Sequence, residues 1–373
     1  MNIDRIDYKK ICEFYRDKKV FITGNTGFKG SWLTKILLHS GAKVVGYALE
    51  PNDEQSLFVL SGLEHNDRLH QFYSDIRDLK KMKSAINTEK PDVVFHLAAQ
   101  PIVREAYKEP VLTYSTNVMG TVNICEAVRG LDSFCSFINV TTDKVYRNNE
   151  WEWGYRETDY LDGQDPYSNS KSCSELVTHS YKDSFFNDDY IRVSTVRAGN
   201  VIGGGDFSKD RIIPDCIRTV ENSIRDDQKM ASICVRNPYS IRPYEHVLEP
   251  LFAYMMIAAR QFEEKRFAGC YNVGPDDTDC LTTGDLVTLF CEKWNNIDSR
   301  VKATWIDNRD ENAPHEAQFL KLDCSKIKTT FGWRTKWSID KAIEKVIQFS
   351  KVWIDGDNVE QEMEREIMEY IGE

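Results

Sequence analysis

Residues 19–30 read KVFITGNTGFKG, and the fold follows from how they are parsed. The first five are apolar or β-leaning and compose a short buried strand. They run directly into a loop carrying Gly24, Gly27 and Gly30. Residues 31–40 then place Trp32, Ile36 and Leu37 at helical spacing, Gly41 closes that helix, and KVVGYA at 43–48 is the next strand. Strand, glycine loop, helix and strand make a βαβ unit of the kind that holds a dinucleotide. One glycine permits the tight turn, one lets the backbone approach a pyrophosphate, and one packs helix on strand. The free N–H groups at the helix start suit phosphate oxygens. The cofactor-binding residues expected here are Gly24, Thr26, Gly27, Phe28, Lys29 and Gly30. Glu50 lies twenty residues past Gly30. An acid there suits a ribose 2′-hydroxyl and repels a 2′-phosphate, which favours NAD over NADP.

Working outward, strand and helix keep alternating. Residues 71–74 are a third strand, followed by Asp75 and Ile76. Asp75 is placed to accept an adenine amino group or to start a helix, although Asp78 suits the helix start better. A helix covers 79–87, and a strand covers 92–96. That strand ends in Leu97, Ala98, Ala99 and Gln100, small enough in part to let the cofactor come close. A helical stretch over 104–129, interrupted near Pro110, carries Asn117. Strands follow at 136–140 and 191–196. The pattern predicts an α/β fold, a Rossmann-type doubly wound parallel sheet with a smaller C-terminal mixed α/β substrate domain. The expected boundaries are 1–197 for the NAD-binding domain and 198–373 for the substrate domain, with part of 236–273 returning to the first. Beyond the glycine-rich 197–206, helices are expected at 211–225, 246–265 and 285–294 and near the C-terminus. Short strands are expected at 233–235 and 271–273. His315-Glu316 and the segment 320–323 fall between the later elements.

The chemistry concentrates at 140–171. A strand running out into Thr141, Thr142, Asp143 and Lys144 delivers them to the sheet edge where α/β proteins bind ligands. Asp165-Pro166 is a helix start, with Asp165 as N-cap and proline at the first helical position. Tyr167 and Lys171 are then four apart on one face. An ammonium beside a phenol lowers the tyrosine pKa and yields a base usable near neutral pH. Further on, Arg236 and Arg242 come close together in a proline-marked loop. They suit a diphosphate, or else surface ion pairs.

Composition narrows the class. A net charge of −11 leaves no basic excess for nucleic acid. Residues 1–19 are charged throughout and have no apolar core, so a signal peptide is not expected, and no apolar run is long enough for a membrane span. Ten scattered cysteines include no Cys-x-x-Cys, which reads as buried thiols in a cytoplasmic protein with no metal site.

GNTGFKGSW, LAAQPIVR, TNVMGTVN, TTDKVY, WEWGYRE, DPYSNSK, RAGNVIGGGD, DRIIPD and RPYEHVLEPL together resemble the extended short-chain dehydrogenase/reductase family, in the nucleotide-sugar 4,6-dehydratase branch acting on CDP-glucose. The match runs over nearly the whole chain. It implies tightly held NAD, a nucleotide-sugar substrate (CDP-glucose), a homodimer or homotetramer built on a helix bundle, and a place in deoxysugar synthesis for surface polysaccharide. It adds Asp75, Ile76, Leu97, Ala98, Ala99, Gln100, Asn117, Tyr167 and Lys171 to the cofactor set. The implied substrate set is Arg104, Arg197, Asn200, Arg211, Arg236, Arg242 and His246. The implied catalytic set is Thr142, Asp143, Lys144, Tyr167 and Lys171. Dehydratases of the dTDP-glucose branch carry Asp-Glu where this chain has Asp143-Lys144, whereas a 4-epimerase lacks the pair. Lys144 is then the base at carbon 5 or, if it stays charged, a stabiliser of the enolate. Another nucleotide-hexose 4,6-dehydratase, a 4-epimerase or 4-reductase, and a non-catalytic sensor of NAD or nucleotide sugar are the competing readings.

Overall fold

The computed structural model describes residues 6–51, 55–186, 190–309 and 319–372. His315-Glu316 lie outside the described residues. The strands are β1 (Lys19–Thr23), β2 (Lys43–Ala48), β3 (Leu69–Tyr73), β4 (Val93–His96), β5 (Cys135–Val140), β6 (Ile191–Ala198), β7 (Asn200–Ile202), β8 (Met230–Val235), β9 (Ile241–His246), β10 (Cys270–Val273), β11 (Cys280–Thr282) and β12 (Lys302–Asp307). The helices of the first half are α1 (Tyr8–Tyr15), α2 (Phe28–His39), α3 (Leu57–Leu60), α4 (Leu79–Glu89), α5 (Val103–Lys108), α6 (Pro110–Tyr114), α7 (Gly120–Arg129) and α8 (Pro166–Phe185). Those of the second are α9 (Ile212–Arg225), α10 (Leu248–Glu263), α11 (Thr283–Ile297), α12 (Ser325–Phe331), α13 (Ile339–Ile354) and α14 (Val359–Ile371).

Seven strands form one parallel sheet in the order β10-β6-β5-β4-β1-β2-β3. β1 is where the order reverses, so a crevice opens beyond its C-terminal end and that of β4. The sheet is buried on both faces, which is why β1 reads as a continuous apolar run rather than an alternating one. Val20 and Ile22 point into a cluster with Trp32, Leu33, Leu251 and Met255, while Phe21 points the other way against Ile86, Ile124 and Val128. Each such buried side chain stabilises by about 1.5–3 kcal/mol.

The helix starts follow the chemistry of their caps. Asp165 accepts from the N–H groups of Tyr167 and Ser168, both at 3.0 Å, and Pro166 occupies the first turn. Asp78 caps α4 through Lys81 N. The helical stretch breaks at Pro110, which opens α6, and a π-helical turn at Ser115–Met119 joins α6 to α7.

A second core gathers β8, β12, α9, α11 and α13, and β7, β9 and β11 form a small sheet beside it. The chain then returns. In α14, Glu360 and Glu364 pair with Lys35 and His39 of α2, and Tyr370 OH donates to Glu249 Oε2 at 2.7 Å.

Two expectations are corrected here. Arg242 and Pro243 lie within β9, not in a loop, and His246 ends that strand instead of opening a helix. Pro243 stands opposite Cys280 of β11 on one side of the strand, and proline is tolerated because on the other side the ladder to β7 begins only at Tyr244. Gly199 also leaves room for the ring, since a Cβ there would lie 2.7 Å from Pro243 Cγ.

Gly30 is where backbone meets backbone. A Cβ would lie 2.1 Å from Gly24 O and 2.6 Å from Asn25 Cα. Gly30→Ala is expected to cost about 1–3 kcal/mol, read as a lower urea midpoint at unchanged slope.

Candidate active site

The C-terminal end of β5 and the first turns of α8 meet over the crevice. Asp143–Val145 form a 3₁₀ turn directly after Thr142. Thr142 Oγ1 donates to Asp143 Oδ1 at 2.9 Å and stands beside the Tyr167 phenol. Asp143 is buried, and its Oδ2 has no hydrogen-bond partner. Burial pushes its pKa up against the pull of Lys144, Thr142, Arg242 and Lys29.

Burial also pushes the Tyr167 phenol up to about 12, against the Thr142 hydrogen bond and the Arg211 charge. Lys171 Nζ donates to Val140 O at 3.0 Å. Burial and then the Lys29 charge bring its pKa down to about 8. The sequence expectation of a phenol already acidified by its lysine therefore differs from the chain alone, where burial dominates.

The glycine loop fits a dinucleotide. Gly24 has φ +75°, a backbone that L side chains avoid, and a Cβ would lie 2.8 Å from Ala98 N and Cα. Ala98 is pinned through its N–H to Thr23 Oγ1 at 3.2 Å, whose hydroxyl also meets His96 Nδ1 at 2.7 Å. Leu97, Ala98 and Ala99 are half-buried along the loop. α2 opens at Gly27 with no side-chain cap, leaving its first N–H groups for an anion. A Cβ on Gly27 would meet nothing nearer than Gly24 O at 3.5 Å, so that face is open. Thr26 Oγ1 ties the loop to Leu49 O at 3.1 Å, next to exposed Glu50 just beyond β2. Phe28 reaches toward Gly203.

Several expected cofactor residues have other partners. Lys29 is turned toward Arg211, Glu245, Asp143 and Asp206, and burial followed by the Arg211 charge lowers its pKa to about 8. It therefore belongs to the reaction end of the crevice. Asp75 is held by Arg77, Oδ2 to Nη2 at 2.6 Å. Ile76 packs on Gly120. Asn117 accepts from Gln100 N and donates to Gln100 O and Ser170 Oγ, so its amide ties the loop after β4 to α8.

The arginines divide. Arg236 Nη1 lies 2.7 Å from Asp210 Oδ1 and Arg104 Nη1 lies 3.7 Å from the same atom, so both converge on one carboxylate. Arg211 precedes α9 and pairs with Asp206 at 3.1 Å. Arg242 acts electrostatically on Asp143. Asn200 is half-buried at the start of β7. Two expected substrate ligands are corrected. Arg197 is fully buried and bidentate to Glu175, with both contacts at 2.9 Å, and it also donates to Tyr146 OH. His246 is fully buried between Trp32 and Trp337 and faces Glu366 at 3.4 Å. Both point inward because β6 and β9 are covered on those faces.

Sequence reasoning missed two carboxylates. Glu175 lies four residues beyond Lys171, so helical spacing alone could have found it; it accepts from Thr141 Oγ1 at 2.5 Å. Glu245 on β9 is buried with neither oxygen hydrogen-bonded, and burial then Glu249 push its pKa well up. No sequence signal marked it.

A family model described as GDP-mannose 4,6 dehydratase matches residues 21–346. The chain is 44% identical over 364 residues to CDP-glucose 4,6-dehydratase of Salmonella typhimurium, covering 96% of this chain and 97% of that one. It is 26% identical to CDP-paratose 2-epimerase of Salmonella typhi, covering 89% and 99%. Among solved structures it resembles UDP-glucuronic acid 4-epimerase from Bacillus cereus with UDP-glucuronic acid and NAD, at TM-score 0.74, 21% identity and 90% and 99% coverage. It also resembles dTDP-glucose 4,6-dehydratase from Bacillus anthracis with NAD, at TM-score 0.69, 17% identity and 89% and 96% coverage. The chain belongs to the GDP-mannose 4,6-dehydratase family.

Two substitutions separate structural from binding roles. Arg197→Met strands a buried Glu175 carboxylate and is expected to cost about 3–5 kcal/mol. Thermal unfolding checks this, and a residue that only touched substrate would leave the midpoint in place. Gly27→Ala is expected to keep the midpoint while NAD binding, followed by titration calorimetry, is lost.

Proposed function

We propose that the chain converts CDP-glucose to CDP-4-keto-6-deoxyglucose and water, using bound NAD. The observation that carries the reading is Asp143, a buried carboxyl with one unpartnered oxygen and a raised pKa, one residue from Thr142 and in the same crevice as Tyr167. An epimerase has no use for a proton donor there; expelling a hydroxyl needs one. The 44% identity to the Salmonella enzyme supports the nucleotide and the sugar.

In this reading Tyr167 takes the proton from the carbon-4 hydroxyl, oriented by Thr142. Bound NAD would supply a transient hydride acceptor and donor with no net redox change. The loop 24–30 and the start of α2 would hold its pyrophosphate, and Glu50 its ribose. The 4-ketone acidifies the carbon-5 hydrogen, Lys144 receives that proton and later returns one to carbon 5, and Asp143 protonates the departing carbon-6 hydroxyl. Arg104, Arg211, Arg236 and Arg242 supply positive charge for the diphosphate.

A second copy of the chain is the partner we propose. Tyr107, Val111, Leu112, Met119 and Leu176 are exposed on α5–α8, with Val111 81% accessible, and an apolar face of this kind suits an interface between subunits. No helix among the described residues is long and apolar enough to cross a membrane. The ten cysteines are all free, which fits the cytoplasm.

The test is mass spectrometry of purified protein with NAD and, separately, CDP-glucose, dTDP-glucose, UDP-glucose and GDP-mannose. Loss of one water from CDP-glucose alone is expected. Water loss from another donor keeps the chemistry and moves the substrate. No mass change with any donor overturns the dehydratase reading. Asp143→Asn is expected to slow water loss by about 10²–10⁴-fold while still giving transient reduced-nicotinamide absorbance.

A further inference from the structure

Where α8 packs against the β6–β10 edge of the sheet, three ligand-bearing side chains converge. Glu175 and His179 are four residues apart on one helical face. Cys270 comes from β10, the edge strand of the sheet, in register with Thr195 of β6. His179 Nε2 lies 3.0 Å from Cys270 Sγ and 3.5 Å from Glu175 Oε2, and the three ligand atoms all fall within 4.8 Å of one another. Ligands around a tetrahedral zinc ion, at bond lengths of about 2.0–2.3 Å, stand about 3.3–3.8 Å apart. The cluster therefore needs only small movements to close on an ion.

Thr195 Oγ1 lines the same space, buried and standing beside both Glu175 and Cys270. Access is open, because the His179 side chain is 36% exposed.

We infer that Cys270, His179 and Glu175 form a binding site for a zinc-class divalent cation, outside the dinucleotide and sugar crevice. The ion takes the thiolate sulfur, the imidazole nitrogen and one carboxylate oxygen, and the thiol proton of Cys270 leaves to solvent. No oxidation or reduction is involved. The three-ligand set with an open fourth position is one that zinc accepts. Glu175 Oε1 serves Thr141 and Arg197 Nε, and Oε2 already accepts from Arg197 Nη2 at 2.9 Å, so the ion would share Oε2 with the pair that fixes α8 on the sheet.

The test titrates Co²⁺, as a visible stand-in, and then Zn²⁺ into the full-length protein loaded with NAD. A thiolate-to-cobalt charge-transfer band is expected, together with release of about one proton per ion by calorimetry in two buffers. Cys270→Ser is expected to abolish the band. His179→Gln is expected to weaken zinc binding by more than about tenfold, the loss that even outer-shell changes produce. Absence of the band in folded wild-type protein overturns the inference, as does a band that survives in Cys270→Ser. These readouts do not depend on turnover, so they stand apart from the substrate assignment.

Discussion

The Glu175–Arg197 pair holds the working parts of this protein together. It joins α8, which carries Tyr167 and Lys171, to β6, and through Thr141 it reaches the end of β5. Both partners are fully excluded from water. Two buried charges are costly unless geometry is good and the remaining lone pairs are used. Here the guanidinium is bidentate, and Tyr146 OH and Glu157 O take its further donors. The carboxylate accepts from Thr141 as well, and the net effect is a pKa below the usual range despite burial. Replacing the pair with apolar side chains would fill the volume, but it would leave the helix free to slide along the sheet. A directional ion pair fixes the register, and the register decides whether Tyr167 stands over Thr142.

The same logic extends around the crevice. Asn117 ties the loop after β4 to Ser170, Thr23 ties that loop to β1, and Thr26 ties the glycine loop to β2. Each is a polar side chain spent on backbone or on another element, not on a ligand. A pocket built from three strand ends and two helix starts has many loops to hold, and these bonds make it rigid before anything binds. The C-terminal helix adds to this from outside. By pairing with Lys35 and His39 it clamps α2, whose uncapped N-terminus is the proposed pyrophosphate site.

Much of this was legible in the sequence, and the reasons are local. The β1–loop–α2–β2 unit is set by glycine geometry and apolar runs, and Asp165-Pro166 starts α8 by capping chemistry. Both depend on neighbours within a few residues. Arg197 and His246 misled because charge alone does not tell which face of a strand is covered; only the packing of α8 on β6, and of Trp32 and Trp337 around β9, decides that. The Arg242-Pro243 strand was hidden for a similar reason. Proline argues against a strand unless one side of it is unpaired at that residue, as β9 is toward β7 at Pro243, and which side is paired is a tertiary fact. Glu245 left no mark at all, since its position opposite Lys29 and Asp143 is made by elements distant in the chain.

Burial then explains why acid and amine can meet in one crevice. In water Asp143 would be ionised and both Lys29 and Lys171 would be charged, so the acid would have no proton to give and the amines no lone pair to take one. Removing water penalises whichever form carries charge. It raises Asp143 and Glu245 and lowers Lys29 and Lys171 to about 8, so each of the four shifts toward its neutral form. Tyr167 moves the opposite way for catalysis, up to about 12. A phenol held that high needs added positive charge before it can act as a base, and the cationic cofactor of the proposed reaction would supply it beside Lys171. Tyr167 would then stay idle until the cofactor is in place.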